Sequence, residues 1–395
     1  MFDRRQFLSA AAAASAAAAA RPAFAAAGQG VSKNEIVLGS LQDLSGPLAV
    51  LGKPIRDGMR MRADEVNAAG GIHGRKIKLI VEDSGYDPKK AVLAAQKLLT
   101  SDKIFAMIGS LGTAVSLPTI PLCLEKNVPH LFPVTSAVGN YEPFHRMKFG
   151  AFAPYPDTVK AGLKELIRLK GYKRVGILYQ DDEFGLDVLH GTEAALKDAN
   201  MALVEKTTYK RGATDFGSQM QKLRAANPDV IVLGTVVRET IGAMATGRQL
   251  GFAGDFFGSS AAYMPAVAKA GGKAVEGLYA VSETPTPYRD DPKNSKLLNE
   301  WMDSYKSRYK EDPDLWGVAG WAVIDIFAKA AEKAGPNLTT DSFVAALETL
   351  TYPRTFLGTA DYAWTPKTRL GNTKSRIHQI QSGRWAPFSA DFLKG

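Results

Sequence analysis

Two apolar rhythms alternate along this chain. Short continuous apolar runs, the kind that fill a sheet covered on both faces, fall at residues 36–40, 76–82, 105–109, 130–132, 174–179, 202–207, 230–234 and 256–258. Between them the apolar residues recur at helical spacing. The stretch from Lys53 to Ala69 places Ile55, Met59, Ala63 and Val66 on one face and stops at Gly70-Gly71, a helix C-terminal signal. Strand and helix in strict alternation predict parallel sheets with right-handed crossovers. After Tyr279 the pattern changes. "SETPTPYRDDPKN" reads as a crossover or linker, followed by helical patterns at residues 295–310, 315–333 and near 341–350, then a tail of short strands and turns.

A chain of 395 residues is too long for one ordinary core, so two lobes are expected. Open parallel sheets bind ligands outside the carboxyl ends of their strands. Six loops fall there: Gln42–Ser45, Ser110–Thr113 and Val134–Ser136 from the first half, and Gln180–Phe184, Gly234–Glu239 and Gly258–Ser260 from the second. All carry small, hydroxyl or glycine residues, and two sheets facing each other would line one cleft with them. In "IGSLGTAVSLPTIP", the residues Ser110, Gly112, Thr113 and Ser116 lie between a strand pattern and a helix pattern. Free N–H groups at a helix start attract an anion, but no Gly-Lys-Ser/Thr follows to make a phosphate loop.

The first 27 residues hold Arg4-Arg5, Phe7-Leu8, an alanine-rich run, Arg21 and small residues at Ala-x-Ala spacing. This order of charged, apolar and cleavable regions predicts a secretory signal. The arginine pair fits the twin-arginine route, with Asp3 where Ser or Thr is more usual. The single Cys123 excludes an internal disulfide, no cysteine near the cleavage region offers a lipid anchor, and no later run of about 18 apolar residues spans a membrane. A free, soluble periplasmic monomer is expected. Of the net charge of +9, the leader accounts for +2. The basic residues Lys367, Arg369, Lys374, Arg376 and Arg384 lack aromatic interleaving, so no nucleic-acid partner is expected.

Catalytic chemistry finds little support. His73, His130, His145, His190 and His378 are scattered without metal-ligand spacing, so no cofactor or metal is expected. Ser307 to Lys310 fits Ser-x-x-Lys, yet its companion motifs are missing. Adjacent carboxylates such as Asp181-Asp182 point apart.

The stretch from Ile36 to Ser110 resembles the opening of the leucine/isoleucine/valine-binding protein family, the type I periplasmic solute receptors of ABC importers. Its telling pieces are "SGP" (Ser45 to Pro47), "EVNAAGGIHGRK" (Glu65 to Lys76), "EDSGYDP" (Glu82 to Pro88) and the "IGS" loop; the likeness continues through "RVGILYQDDEFGLDVLHG" and "NPDVIVLG". The resemblance implies an α/β, two-lobed type I periplasmic binding protein, each lobe a Rossmann-like parallel sheet flanked by helices, joined by three crossovers. Residues 33–153 plus about 284–365 would form the first lobe, and about 154–283 plus 366–395 the second. It also implies that the first lobe holds a ligand carboxylate through the loops Ser110 to Thr113 and Val134 to Ser136, with hydroxyls at Thr113 and Ser136 and a backbone group at Val134. The implied partners are a small carboxylate ligand and an ABC permease with its ATPase; a receptor of the same fold feeding a sensor kinase is the alternative.

Departures from the family pattern bear on the ligand. Relatives with amino-acid ligands place tyrosines near the positions of Phe184 and Val236 and an acid near Ser260. Phe184 keeps the ring without the hydroxyl, and no counter-charge for an ammonium group stands at Ser260. Glu239, Asp182 and Glu183 are the nearest acids. Tyr155 and Tyr263, placed after strand ends, are expected near the ligand. A disulfide that some relatives form between the positions of Tyr86 and Gly112 is impossible here. A hydrophobic or aromatic acid is therefore expected slightly ahead of leucine, isoleucine or valine.

Overall fold

The computed structural model describes residues 28–389 and 391–394. The leader read at residues 1–27 lies outside them.

The first sheet collects β1 (Glu35–Gln42), β2 (Lys76–Asp83), β3 (Ala106–Ile108), β4 (His130–Leu131) and β5 (Lys148–Phe149). All its strands are parallel, in the order β2-β1-β3-β4-β5. Helices α1 (Ala49–Ala68), α2 (Pro88–Thr100) and α3 (Thr113–Glu125) make its crossovers. The chain then leaves through α4 (Tyr155–Lys170) to β6 (Val175–Gln180), α5 (Glu183–Asp198), β7 (Leu203–Tyr209), α6 (Gly217–Ala225), β8 (Val230–Gly234), α7 (Val237–Gln249), β9 (Asp255–Gly258), α8 (Pro265–Gly271) and β10 (Tyr279–Ser282). From β10 it returns to the first lobe as α9 (Lys296–Tyr309), α10 (Leu315–Ala334) and α11 (Thr340–Leu347), followed by a ribbon of β11 (Thr351–Tyr352) and β12 (Tyr362–Ala363). A last passage adds β13 (Lys374–Gln381), β14 (Arg384–Pro387) and β15 (Leu393–Lys394) to the second sheet. That sheet runs β14-β13-β10-β9-β8-β6-β7, with β15 also on β13. It is parallel from β10 to β7 and antiparallel at β13 and β14.

The order of each sheet reverses direction once, between β1 and β3 in the first and between β6 and β8 in the second. Such switch points open a crevice at the carboxyl ends, and the two crevices face each other.

Strands β1, β3, β6 and β8 read as continuous apolar runs because both faces are covered; every residue of β3, β6 and β8 is buried. Helix α10 lies along α1 at backbone contact. A side chain at Gly58 would strike the Gly317 carbonyl, and one at Gly320 the Ile55 carbonyl. These glycines let α10 sink against α1 and carry its apolar face to the cleft.

Helix α1 starts a turn before the expected Lys53, with Pro54 inside it. Two strands escaped the sequence reading. β5 is too short to show a rhythm, and β10 lies at Tyr279–Ser282, where the Pro-rich linker signal begins.

Candidate functional site

Three loops at the carboxyl ends of β1, β3 and β4 are stitched into one rim. Leu111 N–H donates to Leu41 O (2.9 Å), Val134 N–H to Ser110 O (2.9 Å) and Gly112 N–H to Val134 O (3.2 Å). Gly112 holds φ at +88°, and a Cβ there would come within 2.6 Å of the Tyr86 ring, so both the backbone and the neighbouring ring require glycine. This turn ends at the start of α3, whose first N–H groups have no acceptor within the helix. The Thr113 and Thr135 hydroxyls lie 2.8 Å apart, and Thr135 reaches the Tyr155 hydroxyl at 3.3 Å. Hydroxyls and helix-start amides together accept a carboxylate without a counter-cation.

The opposing wall comes from the second lobe. Phe184 sits in the first turn of α5, where Asp182 caps the helix by accepting from Gly185 N–H (3.3 Å). Its ring meets the Tyr155 ring edge-on at a centroid distance of 4.9 Å. Val236 precedes α7, and Ser260 follows β9.

The lobes stand shut on each other. The Ser136 and Ser260 hydroxyls meet across the cleft at 3.3 Å, and Val138 N–H donates to the Asp187 carboxylate at 3.0 Å. The Arg211 guanidinium lies 5.3 Å over the Tyr86 ring while pairing with Asp182 at 2.8 Å. Burial pushes the Tyr155 phenol up to about 12 and the Asp187 carboxyl up to about 6.

Between the lobes lies about 930 Å³ of space not filled by protein atoms, its open mouth included. Seven of the expected residues line it: Thr113, Val134, Ser136, Tyr155, Phe184, Val236 and Ser260. Two do not. Ser110 is buried beneath the rim, its hydroxyl accepting from Leu41 N–H (3.3 Å), so it fastens the loop instead of facing the cavity. Tyr263 is 1% exposed and packs between His378 and Trp385, at centroid distances of 4.5 and 4.7 Å. Its hydroxyl accepts from Thr286 N–H (3.0 Å), which makes it part of the second lobe's core.

The sequence reading missed three groups of lining residues. Leu48, Leu51 and the α10 residues Leu315, Trp316, Ala322 and Ile326 form an apolar wall. Trp316 keeps its indole N–H without an acceptor among the described residues. Tyr86 lines the rim from "EDSGYDP", at φ +55°. Ser282, Glu283 and Thr284 line the side where the chain passes from β10 toward α9. A loop-by-loop search at strand ends finds the rim. It has no means of finding a helix that returns from far along the chain.

Of the acids considered for an ammonium group, Asp182 is engaged by Arg211 and by the Gln180 amide (2.5 Å). Glu239 is buried, its carboxyl pushed up by desolvation, and it does not line the cavity.

Comparison with known proteins agrees with this architecture. A family model described as periplasmic binding protein matches residues 35–384. The leucine-, isoleucine-, valine-, threonine- and alanine-binding protein of Pseudomonas aeruginosa is 22% identical over 294 residues, which cover 74% of this chain and 76% of that protein. A fatty acid ABC transporter substrate-binding protein from Thermomonospora curvata superposes with a TM-score of 0.80 at 24% identity, covering 92% of this chain and 93% of that one. An ABC transporter solute-binding protein from R. palustris, in complex with benzoate, superposes with a TM-score of 0.77 at 17% identity, covering 91% and 96%. The two structural likenesses establish the fold. The chain belongs to the periplasmic binding protein family, as a type I member of its leucine/isoleucine/valine-binding group.

Proposed function

We propose that this protein captures a small carboxylate with a hydrophobic body, by hinge closure of its two lobes, and delivers it to an ABC permease. An aromatic or other hydrophobic acid fits ahead of a hydrophobic amino acid. The observation that carries this reading is the lining of the cavity. Hydroxyls and helix-start amides gather on one rim, apolar side chains form the walls, and no Lys, Arg or His lines it among the described residues. A carboxylate suits the rim and an aliphatic or aromatic body suits the walls. The relatives named for leucine, a fatty acid and benzoate have carboxylates in common and little else.

The ligand bridges Thr113, Val134 and Ser136 of one lobe and Phe184, Val236 and Ser260 of the other, so it binds the closed form better and shifts the population toward it. The lobes in this reading comprise residues 33–153 with about 284–365, and about 154–283 with 366–395. Residues 1–27 direct export to the periplasm by the twin-arginine route; no described helix is long and apolar enough to cross a membrane. The protein acts as a binding component without turnover.

Calorimetry against benzoate, 3-phenylpropanoate, octanoate, L-phenylalanine and L-leucine tests the reading. Micromolar binding of at least one carboxylate is expected, with the deaminated acids ahead. Leucine binding at micromolar affinity with no response to the acids overturns the ligand choice, and silence across the panel overturns the carboxylate reading itself.

A further inference from the structure

Glu283 occupies an unusual place. It lies in the connection from β10 back to the first lobe, where the Ser282 hydroxyl donates to Thr284 O (2.9 Å) and holds the bend. It lines the cavity together with Ala151 and Phe152, in the passage from the first lobe to α4, and with Tyr362 of β12. The side chain is 7% exposed and lines the ligand cavity.

It is also the one carboxyl on the cavity wall among the described residues, and no cation answers it. The segment Ala151 to Ala153 brings no titratable side chain, and neither do the cavity-facing residues of α10. Asp325, on another face of α10, is paired with Arg62 and Lys329. Asp314, before α10, is committed to the N–H groups of Trp316 (2.8 Å) and Gly317 (3.1 Å). On β13, His378 lies opposite Ala280 and is held neutral by burial, which pushes its imidazole down to about 3, while Arg376 lies opposite Ser282 with its guanidinium 4.6 Å over the Phe392 ring. The remaining ionisable groups on the wall are the phenols of Tyr86, Tyr155 and Tyr362.

Removal from water disfavours the ionised carboxyl and pushes Glu283 up to about 8. A ligand carboxylate enclosed in the same cation-free space adds like-charge repulsion in the same direction. Resting on the carboxylate reading above, we propose that Glu283 is a specificity residue that enters the closed complex as a neutral carboxylic acid. Its O–H donates to an acceptor oxygen of an anionic ligand, and the proton comes from solvent as the lobes close. Each ligand is thus captured with one proton. An ammonium-bearing ligand would instead keep this group ionised as its counter-charge, so the protonation state of Glu283 in the complex distinguishes the two ligand classes.

The test is titration calorimetry of 3-phenylpropanoate and 4-methylpentanoate, with L-phenylalanine and L-leucine as their 2-amino counterparts, from pH 5.5 to 8.5 in buffers of different ionisation heat. The wild type is expected to take up about one proton per acid bound and to bind about tenfold more weakly per pH unit between pH 5.5 and 7.5. Glu283→Gln keeps a neutral donor of similar shape that needs no proton, so it is expected to lose the pH dependence and to bind the acids more tightly than wild type by a factor that grows with pH. Zero proton uptake by the wild type overturns the proposal without any variant. So does amino-acid binding without proton uptake that Glu283→Gln abolishes, which makes Glu283 an ammonium partner and leaves the receptor reading standing. Silence toward all four compounds overturns both.

Discussion

Removing the rim hydroxyls tests the anchoring geometry most directly. In Thr113→Val with Ser136→Ala, the first change keeps the shape of the side chain and both delete a donor to the ligand carboxylate. A hydrogen bond to a charged group contributes about 1.5–3 kcal/mol. In the proposed pose both hydroxyls address the same carboxylate, so their losses are coupled, and about 2–4 kcal/mol is expected for the pair. At about 1.4 kcal/mol per decade, Kd rises roughly 30- to 1000-fold. The fold itself loses little. Thr135 keeps Tyr155 at 3.3 Å when Thr113 is gone, and Ser136 gives up only its 3.3 Å contact with Ser260. A cost near 1 kcal/mol in a chain of this length moves the melting temperature by only about 2 °C. Calorimetry with whichever acid binds the wild type, alongside thermal melts without ligand, separates the two effects. A double variant that binds within threefold of wild type refutes the placement of the carboxylate on this rim.

Two further outcomes follow from the structure. Arg211→Ala removes a cation packed over Tyr86 and paired with Asp182; at about 0.5–2 kcal/mol for a cation–π contact, calorimetry is expected to show Kd raised about 2- to 30-fold, and an unchanged Kd removes Arg211 from the closing contacts. Burial pushes the imidazoles of His130 and His378 down to about 3, with Lys148 and Arg376 adding repulsion. The unfolded chain binds these protons below about 6.5, so the stability from keeping both neutral is full above that value and is lost as pH falls toward 3. Thermal melts of His130→Leu are expected to depend less on pH between 6.5 and 4 than those of wild type, and parallel curves refute the assignment.

What was legible in the sequence follows from what is local. β6 and β8 announce themselves because a strand buried on both faces must be apolar throughout, and the rim could be found because a parallel sheet leaves its ligand loops at strand ends. Thr113 and Phe184 face the cavity for that reason. Ser110 belongs to the same loop, yet its side chain alternates to the other side and ties β3's exit to β1. Tyr263 misled because an aromatic residue after a strand end packs equally well on its own lobe, as it does here against Trp385. Glu283, Trp316 and Leu48 reach the cavity only through the return of α10 onto α1 and the meeting of the crossovers. Those contacts span up to hundreds of positions in sequence, and no local rhythm records them.

In the proposed hinge mechanism, the ligand supplies the preference for the closed form. The polar contacts between the lobes include the Ser136–Ser260 contact, the Val138–Asp187 hydrogen bond and the Arg211–Tyr86 stack. Each contributes about 0.5–1.5 kcal/mol net, and burying Asp187, pushed up to about 6, works against them. A ligand then has to supply about 5.5 kcal/mol of preference for the closed form to turn a 1:99 mixture into 99:1. Two charge-assisted hydrogen bonds give about 3–6 kcal/mol. An aromatic body burying about 150 Å² adds about 4 kcal/mol at ~25 cal/mol per Å², part of it already gained on the open lobe. The surplus suffices, so small-angle scattering is expected to show a smaller radius of gyration at saturating acid than without ligand. An unchanged radius means the lobes are already closed in the free protein, and the hinge mechanism then fails.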